Sequence, residues 1–502
     1  MTGGDPNGRP EGGTEIAARR PSQLVALVLG VVLFAIMIAT PPAAGMDLAA
    51  WRVAAVAVLM AVWWIGEALP VAATGLVPLV LFPLLQVLPI KAAAAHYANP
   101  IIFLLFGGFV IAIAMEKWNL HRRIALNILS ITGTRPDALI AGFMVTTAAI
   151  SMWVSNTATT IMMLPIGISV IALVNSRSGA RAQQAEHGDG RFATVLAIAI
   201  AYAASIGGLG TLIGTAPNAL FAGFMDEQYG VEIGFARWML LGVPLACVML
   251  VLAWLVLTKI VFPVGSRGIE GIDALIRSEL KTMGPISRAE KLTALVFALV
   301  ALLWVTRPLI TRWLPDLALT DAGIAVAGAL ALFVTPVDVR RGVFLLDKEW
   351  AQRLPWDVLI LFGGGLSLAA GITESGLAAW AGDAMGAFAN WPLVAVVLAV
   401  TAIVIFLTEL TSNTATTIVF LPLAATLAGT VGTEPVMLLV PAVVAASCAF
   451  MFPVATPPNA IVFGSGRVTI PQMARAGLVM NLGAICLITA VAYALAAVVF
   501  AP

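Results

Sequence analysis

Charged side chains are scarce in this sequence. Asp, Glu, Lys and Arg make up 11% of its 502 residues, against roughly 25% in soluble domains. A water-soluble globule of this composition would lack the polar surface to cover itself. The net charge is only +1, and no basic stripe predicts a nucleic-acid partner. The composition therefore excludes a soluble globular domain and gives no sign of nucleic-acid binding.

Cysteine and histidine are also rare, with three residues of each. Cys247, Cys448 and Cys486 stand singly in apolar runs, a pattern that predicts packing residues and excludes a disulfide framework or a cysteine metal site. The histidines are not clustered and lie in or beside polar loops, which argues against a metal centre or a proton relay. Neither a nucleophile with its base nor a metal cluster appears in the apolar segments, so the sequence predicts no enzyme activity.

Long apolar runs are abundant instead, since 61% of the residues are hydrophobic. Runs such as 24–40 and 240–257 approach the ~20 residues needed to cross a bilayer. We expect an all-α polytopic membrane protein after a disordered cytoplasmic tail at 1–22, in contact with membrane lipid. Eleven spans are predicted near 23–41, 49–67, 70–89, 100–120, 192–226, 237–262, 291–312, 319–336, 355–376, 435–465 and 473–500. Two further segments, 136–175 and 392–428, are predicted as re-entrant hairpins with arms too short for a full crossing.

Two polar phrases occur twice inside these apolar segments. Ser-Asn-Thr-Ala-Thr-Thr stands at 155–160 and again at 412–417, an offset of 412 − 155 = 257. A Pro-Asn phrase at 214–219 is matched at 455–460, an offset of 241. A Phe-Gly-Gly motif, at 106–108 and 362–364, precedes each hairpin and is expected to serve close helix packing. Paired helix-breaking motifs at membrane depth are typical of transporters built from internal repeats, with the binding site where the broken helices meet.

The basic residues support this topology. Segments that it places outside hold few of them, namely Arg52, Lys91, Arg237, Arg307 and Arg312. Most other Lys and Arg residues fall in segments placed inside, as the positive-inside rule requires. The N-terminus is therefore predicted in the cytoplasm and the C-terminus outside. Five spans separate the hairpins, so the hairpins enter from opposite sides and the repeats are inverted.

The hairpin tips offer hydroxyl, amide and carbonyl oxygens but no carboxylate within either phrase. Such neutral oxygen donors suit a hard monovalent cation such as Na⁺ better than a divalent ion. No Lys or Arg lies near the four motifs, so a bound anion would depend on bound cations and on helix dipoles for its neutralisation. Glu409 is the one acid beside a tip. It is expected to bond the hairpin, with proton coupling as the alternative.

These motifs resemble those of the divalent-anion:sodium symporter family, which includes bacterial and animal carriers of di- and tricarboxylates, over almost the whole chain after the tail. The resemblance implies a homodimer in which a transport domain moves as an elevator against a fixed scaffold. It divides the chain into scaffold parts at 23–135 and 263–391, the latter including a cytoplasmic linker, and transport parts at 136–262 and 392–502. The expected location is the cell inner membrane.

The resemblance also implies site residues. About two Na⁺ sites are expected: one at Ser151, Ser155, Asn156 and Gly214, and one at Thr408, Thr411, Asn413 and Ala455. The substrate carboxylates are expected to contact Asn156, Thr157, Thr215, Asn413, Thr414, Thr456 and Pro457. Ala216 departs from the family, since many members carry the first of two prolines there.

The expected function is sodium-coupled symport of a C4-dicarboxylate such as succinate, malate or fumarate into the cell. Several alternatives stay open. The family includes sodium-independent dicarboxylate or citrate exchangers, and the substrate could be sulfate or another inorganic divalent anion. A cation–proton antiporter or a metalloid efflux pump on a related fold would need ionisable residues at the helix breaks, and these are absent from the motifs.

Overall fold

The computed structural model describes residues 20–178, 189–265, 269 and 271–500, and they form an almost entirely helical protein. Ten of its helical segments are long and apolar enough to cross a membrane. They are Pro21–Ala39, Leu48–Ile65, Ile90–Lys117, Asn156–Val174, Arg191–Gly208, Phe235–Val261, Arg288–Trp313, Trp356–Glu374, Asn413–Val431 and Ile470–Ala496. This confirms the predicted fold class. The predicted tail ends earlier than expected because α1 (Pro21–Ala39) begins at Pro21, and residues 1–19 lie outside the described ranges.

Eight of the ten segments match predicted spans, and the other two are hairpin arms. The expectation of short arms is therefore wrong for the second arm of each hairpin. The first hairpin pairs α8 (Pro136–Ser151) with α9 (Asn156–Ser178), and the second pairs α19 (Leu393–Thr408) with α20 (Asn413–Val431). Both second arms continue as helices beyond an internal proline.

Four predicted spans, including 192–226, are short or interrupted. The segment 70–89 forms α3 (Val71–Gly75) and α4 (Val77–Leu84), since Pro78 lacks the N–H that would bond the Thr74 carbonyl in a continuous helix. The segment 319–336 holds the 14-residue α15 (Asp321–Val334). The segment 435–465 is broken into α21 (Val436–Ala446) and α22 (Pro457–Gly464). Its counterpart is α10 (Asp189–Gly208) followed by α11 (Ala216–Tyr229).

Twelve further helices make up the rest of the described helical structure. Seven of them flank the long spans or belong to them: α2 (Leu48–Ile65), α5 (Ile90–Ala95), α6 (Pro100–Lys117), α12 (Phe235–Leu255), α14 (Arg288–Trp313), α17 (Trp356–Glu374) and α23 (Ile470–Val491). Five are short: α7 (Leu120–Leu129), α13 (Ile272–Thr282), α16 (Trp350–Arg353), α18 (Leu377–Ala384) and α24 (Ala497–Phe500). An antiparallel pair, β1 (Pro336–Asp338) and β2 (Val343–Phe344), was not expected from sequence.

Two glycine motifs allow helices to pack backbone against backbone. A Cβ on Gly107 of α6 would lie 2.5 Å from the Ala325 carbonyl carbon of α15. A Cβ on Gly364 of α17 would lie 2.1 Å from the Gly75 carbonyl oxygen of α3. Side chains at these positions would force the helices apart. The motifs therefore serve helix packing, as the sequence predicts.

The broken helices occupy the centre of the fold. In the apolar window of α10, 94% of residues are buried, and every residue of α21 is buried. By contrast, only 11% of the window in α1 and 17% in α14 is buried, which leaves these helices as apolar outer surfaces. The arrangement places both helix breaks next to the hairpin tips, where the polar phrases lie.

Candidate functional site

The first hairpin tip is tied to the first broken helix by a buried serine. The Ser151 hydroxyl lies 2.6 Å from Asn156 Oδ1 and donates to the Ala204 carbonyl oxygen at 2.7 Å. A Cβ on Gly208 would lie 2.8 Å from Asn156 Oδ1 and 2.9 Å from the Gly214 carbonyl oxygen. The absence of a side chain at Gly208 thus lets several oxygens converge. Neutral oxygens gathered in this way are ligands suited to a hard cation.

The second hairpin repeats this geometry. The Thr408 hydroxyl lies 2.8 Å from Asn413 Oδ1 and 2.8 Å from the Ala446 carbonyl oxygen. Thr408 corresponds to Ser151 at the same offset of 257 (408 − 151 = 257), so both repeats use a buried hydroxyl at this point. Thr411, also expected at this site, instead bonds the Thr416 hydroxyl at 2.6 Å and the Leu407 carbonyl oxygen at 3.0 Å. Its hydroxyl would have to turn to reach a cation.

Each helix break is held by the asparagine of its Pro-Asn phrase. Asn218 Nδ2 donates to the carbonyl oxygens of Gly208 at 3.0 Å and Thr211 at 2.7 Å. Asn459 Nδ2 donates to those of Ala449 and Phe452, both at 3.1 Å. These acceptors correspond at the offset of 241, since 449 − 208 = 452 − 211 = 241. Each amide therefore bonds carbonyls that the unwound backbone leaves without helical partners.

Asn218 and Asn459 belong to the repeated Pro-Asn phrases, but the phrases alone assign them no role. Both are fully buried. The sequence signal for their role is their position. Each is the third residue of the helix that follows a break, where a buried amide can donate to carbonyl oxygens of the preceding segment.

One cavity of about 1070 Å³ brings both hairpin tips and both breaks together. The predicted site residues that line it are Ser155, Asn156, Thr157, Gly214, Thr215, Thr411, Asn413, Thr414, Ala455, Thr456 and Pro457. Ser151 and Thr408 do not line it, because they lie behind the tips and are fully buried. The structure therefore gathers residues that lie some 300 positions apart in sequence, and places two of them in a supporting layer.

Basic side chains are not absent from this cavity, although the motifs themselves contain none. Arg20, at the start of α1, and Arg353, at the end of α16, both line it. So do Glu67, Glu116 and Asp357. The sequence motifs could not predict these residues in the cavity. The residues come from α1, α6 and the segments around α2 and α17, which are far from the motifs in sequence. They form a mixed-charge rim, whereas the part contributed by the tips and breaks is neutral.

Glu409 is buried, with 1% of its surface exposed. Its carboxylate accepts hydrogen bonds from the backbone N–H groups of Phe450, Met451 and Phe452 and from the side-chain amide of Asn481. The expectation that Glu409 bonds the hairpin is therefore wrong, because its partners belong to the second helix break and to α23.

The chain is similar in sequence to known membrane transporters. A family model described as the sodium:sulfate symporter transmembrane region matches residues 21–501. A protein of Staphylococcus saprophyticus named sodium-dependent dicarboxylate transporter SdcS is 43% identical over 479 residues, which cover 94% of this chain and 91% of that protein. Its Staphylococcus aureus namesake is 42% identical over 473 residues, with the same coverage.

A solved structure shares the fold at low sequence identity. The MtrF protein of Neisseria gonorrhoeae, described as one of a class of antimetabolite efflux pumps, aligns with a TM-score of 0.55 at 12% identity. The alignment covers 94% of this chain and 95% of that one. At this identity the likeness concerns the fold alone.

Proposed function

Because this chain belongs to the sodium:sulfate symporter family, the divalent-anion:sodium symporters, we propose that it is a secondary active transporter that couples Na⁺ to the uptake of C4-dicarboxylates. The family consists of membrane transporters and not of enzymes. The names of relatives at 42–43% identity support a dicarboxylate over sulfate. Succinate, malate and fumarate are the proposed substrates.

The observation that carries this proposal is the single cavity lined by both Ser-Asn-Thr tips and both Pro-Asn breaks. A dicarboxylate there would meet the amides of Asn156 and Asn413 and the hydroxyls of Thr157, Thr414 and Thr456. Thr215 is the N-cap of α11 and Pro457 is the first residue of α22, and helix N-termini favour anions. Two similar half-sites facing one cavity fit a substrate with a carboxylate at each end.

Two Na⁺ ions are proposed behind this substrate position. The first would use Ser151, Ser155, Asn156 and the Gly214 carbonyl, and the second would use Thr408, Thr411, Asn413 and the Ala455 carbonyl. The bond from Ser151 or Thr408 to the neighbouring asparagine supports a cage of neutral oxygens in each repeat. Each asparagine would then contact both an ion and the substrate, which is a direct route to coupling.

The proposed mechanism is an elevator in a homodimer, with inverted repeats and the domain bounds inferred from the sequence. Polar side chains join the proposed domains at one end of the spans. His96 Nδ1 lies 2.5 Å from Glu227 Oε1, and the Thr373 hydroxyl donates to Gln228 Oε1 at 2.5 Å. All four residues fall at ends predicted to lie outside. The apolar surfaces of α1 and α14 are available for lipid or for a second subunit.

The cavity rim supports an orientation. Arg20, Glu67, Glu116 and Arg353 all belong to segments or span ends predicted to face the cytoplasm, and all line the cavity. We therefore propose a protein of the inner membrane with its N-terminus in the cytoplasm and its C-terminus outside, seen in a state whose cavity opens inward.

Uptake of labelled succinate into proteoliposomes tests the proposed function. Uptake should be strong with an inward Na⁺ gradient and weak when choline replaces Na⁺. Uptake that needs internal dicarboxylate and ignores Na⁺ would establish an exchanger instead. Competition by excess sulfate, without competition by malate or fumarate, would move the substrate class to inorganic anions.

A further inference from the structure

A second cavity lies at the opposite ends of three helices that line the candidate site. This outer cavity has a volume of about 640 Å³. Helices α11, α17 and α20 line the candidate site with their first residues and the outer cavity with their last ones. Those last residues fall at ends predicted to lie outside, so the outer cavity is remote from the cytoplasmic rim of the candidate site.

The walls of the outer cavity come from both proposed domains. The transport domain contributes α11 and α20, and the scaffold contributes α17 and α18. Two hydrogen bonds join these walls. The Thr373 hydroxyl donates to Gln228 Oε1 at 2.5 Å, and the Thr430 hydroxyl donates to the Gly382 carbonyl oxygen at 3.1 Å. Sliding of the transport domain must therefore separate the walls, and a molecule bound between them would resist that movement.

The outer cavity combines apolar surface with a single charge. Phe224 and Tyr229 form an edge-on aromatic pair with ring centroids 6.3 Å apart, and Ile372 and Pro422 add aliphatic surface. Asp383 is the only charged side chain among the lining residues. It is exposed, and it forms no ion pair with any residue of the described ranges. The cavity thus offers a carboxylate without a counter-ion, together with aromatic and aliphatic walls.

These features select a class of ligand. A cavity of this size suits a drug-sized molecule. An ammonium group is attracted by a carboxylate and by aromatic rings, whereas Asp383 disfavours an anion such as a second dicarboxylate. We propose that the outer cavity binds a small amphipathic cation, an apolar molecule with one protonated amine, and that this ligand blocks transport by contacting both domains at once. The block rests on the proposed function, because it presupposes sliding domains, whereas binding rests on the cavity alone.

Three probes that differ in charge test binding. 4-Phenylbutylamine carries a protonated amine at neutral pH, 4-phenyl-1-butanol is neutral, and 4-phenylbutyrate is an anion. A ligand that binds the folded protein raises the Tm, so thermal stability in a non-ionic detergent is measured over a concentration series of each probe. The amine should reach half-maximal stabilisation at about threefold lower concentration than the alcohol, as expected for an exposed ion pair, and the anion should not stabilise.

Asp383→Asn assigns the charge effect to the outer cavity and not to the rim carboxylates of the candidate site. It should raise the half-maximal concentration of the amine about threefold and leave that of the alcohol unchanged. Folding should be retained, because Asp383 is exposed and unpaired among the described residues. Asp316→Asn, at an exposed residue of the loop after α14, is the matched control and should change neither value.

Gly429→Leu tests the position of the ligand. Gly429 lines the outer cavity, and an added Cβ there would meet no atom within 4 Å, so a leucine side chain can occupy the cavity itself. This variant should weaken stabilisation by the amine and by the alcohol alike, because both place an apolar body there. Gly464→Leu also has open space for its Cβ but lines neither cavity, and it should respond as the unmodified protein does.

Succinate uptake tests the block. The protein is placed in vesicles of phosphatidylglycerol, whose headgroup has no amine, under an inward Na⁺ gradient. 4-Phenylbutylamine should lower the maximal rate of uptake without raising the succinate concentration that gives half-maximal uptake. The Asp383→Asn protein should need about threefold more amine for the same inhibition, and the Asp316→Asn protein should not.

Equal stabilisation by the amine and the alcohol, or an amine effect that Asp383→Asn leaves unchanged, would overturn the binding site. Amine binding that leaves uptake unaffected, or inhibition that excess succinate relieves, would overturn the block and leave Na⁺-coupled transport in place. Absence of Na⁺-driven succinate uptake by the unmodified protein would instead contradict the proposed function, while the stability series would still decide whether the site exists.

Discussion

At the residue scale, the proposed transport activity depends most on Asn156 and Asn413. Each lines the cavity and accepts a hydrogen bond from a buried hydroxyl behind it. Asn156→Ala and Asn413→Ala should each reduce succinate uptake to background, because the amide is proposed to contact both ion and substrate. Folding, followed by thermal stability in detergent, should be retained. Asn127→Ala, at an exposed asparagine of α7, is the control and should transport normally. Near-normal uptake by either tip variant would refute the assignment.

Asn218 and Asn459 should behave differently, because they hold the breaks and lie behind the cavity. Removing either amide leaves two or more buried carbonyls without donors, and each such loss costs about 1–3 kcal/mol. Asn218→Ala and Asn459→Ala should therefore lower thermal stability clearly, even at saturating Na⁺ and succinate. Stability within about 0.5 kcal/mol of the unmodified protein, as expected for a surface change such as Asn127→Ala, would contradict this role.

At the element scale, the close approach of α6 to α15 depends on Gly107. Gly107→Ala should lower stability by about 1–3 kcal/mol, as overpacking does, because its Cβ would meet the Ala325 backbone. Gly464→Ala places its Cβ in open space near the end of α22 and serves as the matched control. Thermal unfolding of both variants measures the difference, and equal melting temperatures would show that the two helices can separate without cost.

The positions of the breaks could be predicted from sequence, because they depend on local chemistry. The two Ser-Asn-Thr phrases, at 155–160 and 412–417, predict the hairpin tips, and the turns lie at their starts, over 152–155 and 409–412. The Pro-Asn phrases likewise locate the starts of α11 and α22. Proline is favoured in the first turn of a helix, because its fixed φ suits the helix and its missing N–H needs no partner there.

Helix lengths and long-range partners could not be predicted in this way. Pro165 and Pro422 lie inside α9 and α20, since packing on both sides of a proline can keep a helix continuous. In the second break, the N–H groups of Phe450, Met451 and Phe452 donate to Glu409, some 40 residues away, a partner that local sequence cannot predict. Arg20 and Arg353 reach the cavity through the tertiary fold alone.

At the scale of the whole molecule, the elevator predicts that the polar contacts between the proposed domains must break in every cycle. A protein without Cys247, Cys448 and Cys486 should therefore lose uptake when Gln228→Cys and Thr373→Cys, whose native side chains touch, are oxidised to a disulfide. Reduction should restore transport. The disulfide would hold the cavity in the proposed inward-open state.

The control pair for this experiment lies within the proposed scaffold. Lys117 and Asp347 form an ion pair at 2.6 Å and join the two scaffold parts. A disulfide between Lys117→Cys and Asp347→Cys should leave uptake intact, because the scaffold moves as one body. Full uptake by the protein cross-linked between residues 228 and 373 would exclude sliding of these two domains.

The central claim is that bound Na⁺ neutralises a dicarboxylate at a site whose motifs contain no basic side chain. Its most direct test is the calorimetric affinity for succinate across a Na⁺ series, with choline as the balancing ion. Affinity should rise steeply with Na⁺, and Na⁺ affinity should rise with succinate by the same factor, because linkage is reciprocal. Li⁺ should substitute poorly for Na⁺, and K⁺ hardly at all. Succinate affinity that stays flat from zero to high Na⁺ would contradict the account and favour a sodium-independent exchanger.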